Sequence, residues 1–92
     1  MSPTATQIEA TLRQAFDPIE IRVKDRSAAH ASHVEAQEAG GGHYEVRIVA
    51  SRFAGLTPVA RHRLVYDTLR GYGDGIHALA LATLTPEEAG ST

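Results

Sequence analysis

Five imidazoles carry the clearest chemistry in this 92-residue sequence: His30, His33, His43, His62 and His77. Histidine is largely neutral at pH 7 and is then free to bind metal. His30 and His33 stand three apart in a polar stretch, His43 opens an alternating run, and His77 opens an apolar one. Two or three imidazoles with no thiolate or carboxylate make a weak, open site, because zinc usually takes four ligands. Iron–sulfur clusters are held mainly by cysteine thiolates, although two histidines can replace two cysteines on one iron. The sequence contains no cysteine, which excludes disulfides and any self-contained thiolate site. A cluster would therefore need its remaining ligands from another molecule. The plainer reading makes His30 and His33 solvated loop residues and His77 a hydrogen-bonded, half-buried one.

Other chemistries find less support. Ser27, Ser32 and Ser51 have no nucleophile elbow, and periodicity brings no two carboxylates to a shared site. Gly40-Gly41-Gly42 lacks the following lysine and helix that a phosphate loop requires. The pattern argues against an enzyme. Arg61-His62-Arg63, with Arg52 upstream, forms a local basic patch. Such cations can touch phosphates, which supplies affinity without sequence information, or can simply form a solvated helical face. The formal net charge of −2 gives no overall attraction to nucleic acid or anionic lipid.

The elements that would position these residues follow from periodicity. Ser2-Pro3 reads as a cap and first helical position, and Ile8, Leu12, Ala15 and Phe16 recur at helical spacing, predicting a helix over 3–16. Asp17-Pro18 closes it, since the residue before proline is pushed from helical dihedrals. Residues 19–24 alternate apolar and charged side chains, the mark of a half-buried strand. Residues 25–42 show no periodicity, and so long a loop inside a compact domain is usually functional or disordered. Alternation resumes over 44–49, with Tyr44, Val46 and Ile48 on one face. The two strands can pair as a hairpin with the histidine-bearing loop at its tip. Thr57-Pro58 caps a second helix running to about Tyr72, where glycines at 71, 73 and 75 break it. Residues 76–82 are apolar on both faces, which predicts a well-covered strand with His77 on the same face as Leu79 and Leu81.

The order helix–strand–strand–helix–strand predicts an α+β fold, a three-stranded mixed sheet with both helices on one face. The length suits a single domain over 1–92, with a core at about 5–88 and a polar tail at 89–92 expected to fray. No apolar run approaches the roughly 20 residues of a membrane span, and the N-terminus lacks a signal-peptide pattern, so a cytoplasmic location is expected.

Several runs together resemble the BolA family. They are Asp25-x-Ser27-x-x-His30, His43-Tyr44, Phe53-x-Gly55 followed by Arg61-His62-Arg63-Leu64-Val65-Tyr66, then Ile76-His77-Ala78-Leu79 and Thr85-Pro86-Glu87-Glu88. The resemblance implies an αββαβ fold of the class II KH type. It also implies a partnership with a monothiol glutaredoxin around a shared 2Fe–2S cluster, to which glutaredoxin and its glutathione bring sulfur. His77 would be the usual cluster ligand and a loop histidine, His30 or His33, the second; anchoring on Ser27 favours His30, and the distance to His43 favours His33. No cofactor is expected on the isolated chain, which would be a monomer or weak dimer. The role implied is iron–sulfur trafficking or iron homeostasis. The alternative is a KH-like transcriptional regulator binding DNA through Arg61, Arg63 and Arg52, an analogy of fold.

Overall fold

The computed structural model describes residues 2–27 and 41–90. Helix α1 (Ala5–Phe16) buries Ile8, Leu12 and Phe16. It starts later than Ser2-Pro3 suggests. Thr4 is the cap: its hydroxyl accepts from the Gln7 amide, and the Gln7 side chain accepts from the Thr4 amide. This reciprocal box satisfies two otherwise orphaned donors, which a bare Ser-Pro start cannot do. Asp17 ends the helix in a left-handed conformation, its amide donating to the Arg13 carbonyl.

Strand β1 (Glu20–Asp25) pairs antiparallel with β2 (Gly42–Val49), and β2 pairs in parallel with β3 (Ile76–Leu84). The sheet order is β1-β2-β3, so β3 is an edge strand. The fold is the expected α+β arrangement with a mixed sheet. On one face Ile21, Tyr44, Val46 and Ile48 meet α1 and helix α2 (Pro58–Thr68), with Phe53 and Val65 at the centre of the core. Phe16 and Phe53 touch with ring centroids 5.3 Å apart.

Helix α2 begins as predicted, with Thr57 capping the Ala60 amide and Pro58 at the first helical position. It ends at Thr68 rather than Tyr72, and a tighter turn over Arg70–Gly75 passes through Gly73 at φ 54°. Val59 and Tyr66 remain 66% and 49% exposed, so the buried stripe of α2 is narrow, with Val65 at its centre and Leu69 just past its end.

Two further expectations are corrected. The stretch 76–82 is not covered on both sides: Ala78, Ala80 and Ala82 are exposed, a cheap arrangement because each presents only a methyl group. The start of the polar tail does not fray either, since Pro86–Gly90 form helix α3. Its box mirrors that of α1, with the Thr85 hydroxyl accepting from the Glu88 amide and the Glu88 carboxylate from the Thr85 amide. No helix among the described residues is long and apolar enough to cross a membrane.

Candidate functional site

The site is the rim where β2 and β3 begin. The sheet register shifts between Gly42 and His43: Gly42 faces Ile76, but His43 faces Ala78. The extra residue on β3 is His77. Strict alternation would set it with Leu79 and Leu81 against the helices; the irregularity instead leaves both His77 and Ala78 exposed. The rings of His43 and His77 lie with centroids 5.1 Å apart and planes inclined by 47°.

Local backbone contacts hold this pair. The two residues that follow β1 clamp the His43 backbone, with the His43 amide donating to Ser27 Oγ at 3.1 Å and the Arg26 amide to the His43 carbonyl at 2.6 Å. Ser27 is itself fixed by its amide donating to Asp25 Oδ1 at 2.8 Å. The spacing Asp25-x-Ser27 thus serves to anchor the start of β2.

On the other side, Gly41 lies against His77. A Cβ there would fall 2.7 Å from the Asp74 carbonyl oxygen and 2.9 Å from His77 Cβ, and Gly41 has φ +74°. Only glycine allows that approach and that conformation without strain. A Cβ on Gly42 would fall 2.2 Å from the Tyr44 hydroxyl. Tyr44 cannot yield easily, because its buried side chain donates to the Pro3 carbonyl at 2.5 Å. Burial pushes the Tyr44 pKa up, and the nearby Asp25 carboxylate adds to the shift. Gly41 and Gly42 have a packing purpose that loop composition alone does not reveal.

Of the expected ligands, the structure brings His77 to an exposed rim beside His43. His30 and His33 lie outside the described residues. His62 is carried by α2 and not by either strand of this rim. No group of three or more His, Cys, Asp or Glu side chains able to hold a metal ion exists among the described residues. The donor set presented here is therefore a pair of nitrogens, which suits a shared site and not a closed one.

The basic patch divides. Arg61 turns inward, its side chain 11% exposed. It donates to the Leu56 carbonyl at 3.0 Å, the Thr83 carbonyl at 3.1 Å and the Glu88 carboxylate at 2.7 Å. The Arg61 hydrogen bond, then the Thr85 amide, lower the Glu88 pKa to about 2. Arg61 is thus committed to the fold, and the exposed cations of the patch are Arg52 and Arg63, which line one shallow groove with Leu56, Ala60, Leu64 and Asp67.

A small α+β domain with a mixed three-stranded sheet and an imidazole pair at its rim defines the class of protein. The profile of the BolA-like protein family matches residues 12–88, and the chain belongs to that family. It is 38% identical over 87 residues to SufE-like protein 1, chloroplastic/mitochondrial, of Arabidopsis thaliana, covering 89% of this chain but only 24% of that protein's length. It is 42% identical over 82 residues to the DNA-binding transcriptional regulator BolA of Vibrio cholerae, covering 88% of this chain and 74% of the relative. The solved structure of BolA1 from Arabidopsis thaliana superposes with a TM-score of 0.78 at 34% identity, covering 96% of this chain and 97% of that one.

Proposed function

We propose that this chain is a binding protein and not an enzyme, which docks on a monothiol glutaredoxin and shares a 2Fe–2S cluster with it. His77 supplies one nitrogen, and a second comes from His43 beside it or from His30 or His33, the histidines that the family resemblance implies as the second ligand. The observation that carries the reading is the exposure of His77 on an edge strand, 5.1 Å from a second imidazole, with no further ligand-type group joining them among the described residues. A chain without cysteine can hold such a cluster only if thiolates arrive from outside. The partner's cysteine and glutathione are thiolates of that kind.

Bound there, the cluster would supply iron and sulfide as transferable cargo, with one-electron chemistry tuned by nitrogen ligation. The chain's own part is to present and orient nitrogen. Gly41 brings the backbone just before β2 against His77, and Ser27 with Arg26 fixes the His43 backbone. Anaerobic co-purification with a monothiol glutaredoxin, followed by iron and sulfide analysis, tests the reading. It predicts two irons and two sulfides per heterodimer, following the cluster's composition; a complex free of iron, or no complex, contradicts it.

A second reading, DNA binding, draws support from exposed Arg52 and Arg63 in one groove and from the name of the Vibrio cholerae relative. It predicts gel-shift affinity that falls steeply with salt and depends on both arginines.

A further inference from the structure

Helices α1 and α2 cover one face of the sheet, and the opposite face carries a charge pattern that the fold leaves incomplete. Alternation places Glu20, Arg22 and Lys24 of β1, Glu45 and Arg47 of β2, and Ala80 and Ala82 of β3 on that open face. In register, Arg22 stands directly opposite Arg47, and Lys24 opposite Glu45. Like charges directly opposite each other weaken a sheet. One carboxylate serves both arginines: Glu20 Oε2 is 3.7 Å from Arg22 Nε and 3.2 Å from Arg47 Nε. Glu45 is taken by Arg26 at 3.0 Å, and Lys24 forms no ion pair among the described residues. Arg22, Lys24, Arg26 and Arg47 therefore share two carboxylates, on a chain whose formal net charge is −2. Arg22, Lys24, Glu45 and Arg47 line a groove of about 290 Å³ together with Ala80 and Ala82.

We infer that this open face is an interaction surface for an acidic segment of a protein partner, whose carboxylates complete the pairing of Arg22, Arg47 and Lys24. The exposed methyl groups of Ala80 and Ala82 leave room for its backbone beside the cations. The ion pairs already present join exposed side chains, so little stability is lost when they rearrange around an incoming carboxylate. Complementary charge of this kind speeds encounter and fixes register. A peptide fits better than a nucleic acid. No aromatic side chain lines the groove to stack a base. Glu20 and Glu45 stand among the cations and repel a continuous phosphate chain, whereas spaced carboxylates can pass between them. The surface goes beyond the cluster reading, since it needs no imidazole and no iron, and it uses neither Arg52 nor Arg63.

The test titrates the full chain at low salt with a short peptide of alternating glutamate and alanine, following backbone amide spectra. Saturable shifts are expected around residues 22–24, 45–47 and 80–82, with affinity that falls as salt screens the charges. The Arg22→Gln/Arg47→Gln double variant should weaken binding at least about tenfold, and Ala80→Glu should do the same by filling and repelling. His77→Ala and the Arg52→Gln/Arg63→Gln double variant should stay within about threefold of the parent. Dispersed amide spectra of each variant keep loss of fold apart from loss of the surface. An absence of saturable shifts, or undiminished binding by the Arg22/Arg47 double variant, would overturn the inference and reduce the face to a solvated one. Tighter binding of an oligothymidylate of equal charge would overturn the choice of a protein segment. None of these results touches the glutaredoxin reading, whose test is iron content and not peptide binding.

Discussion

Strand β3 has a polar station at each end, and the two are built for opposite ends. Near Thr83, Arg61 is drawn inward and satisfied by two carbonyls and the Glu88 carboxylate. At its start, His77 is exposed beside His43, at a sheet irregularity that removes it from the core face. Both residues lie in runs that carry the BolA resemblance. The first is a bolt that joins α2, β3 and α3; the second presents donors without closing a site. A motif residue's role is decided by what its polar atoms meet in the fold.

The largest effect that separates the two ends is on stability. Arg61→Ala strips partners from partly buried carbonyls and from Glu88, and should cost about 2–4 kcal/mol in urea unfolding. His77→Ala, at an exposed position, should stay within about 0.5 kcal/mol. If the two costs were equal, the contrast between bolt and donor would fail. Gly42→Ala should come next, at about 1–3 kcal/mol, because the added methyl group collides with a pinned Tyr44 ring. A neutral result there would mean that the rim is loosely held.

The acid limb sharpens the comparison further. Glu88 has a folded pKa near 2, below its ordinary 4.5, so its contribution is present above 4.5 and is lost as pH falls towards 2. Glu88→Gln should therefore flatten the pH dependence of stability over that window, while His77→Ala leaves it unchanged; chemical denaturation at a series of pH values reads both. The smallest effect is alkaline. Tyr44 is raised above 10.0, so its neutral form is favoured in the fold and stability falls as pH climbs past 10 through the folded value. Tyr44→Phe should remove that component while losing the hydrogen bond to Pro3.

Much of the scaffold was legible because it is local. Alternation marked β1 and β2, Thr57-Pro58 marked the start of α2, and the order of elements led to the sheet and its helix layer. Two boundaries were also written locally but in a subtler form: Thr4-x-x-Gln7 and Thr85-x-x-Glu88 are capping boxes, and they outweigh Ser2-Pro3 and the polar look of the tail. What could not be read is non-local. The inward turn of Arg61 depends on partners up to 27 residues away. The face of His77 depends on a register shift that periodicity assumes away. Gly41 and Gly42 look like loop composition until the atoms they approach are known.

The proposed binding function depends most on His77 as a donor to a shared cluster. Titrating cluster-loaded monothiol glutaredoxin with this chain, and following visible absorption and circular dichroism anaerobically, tests that directly. The parent chain should change both spectra to a defined end point, and His77→Ala should produce no such change while remaining folded. An identical end-point spectrum from the variant would contradict ligation by His77.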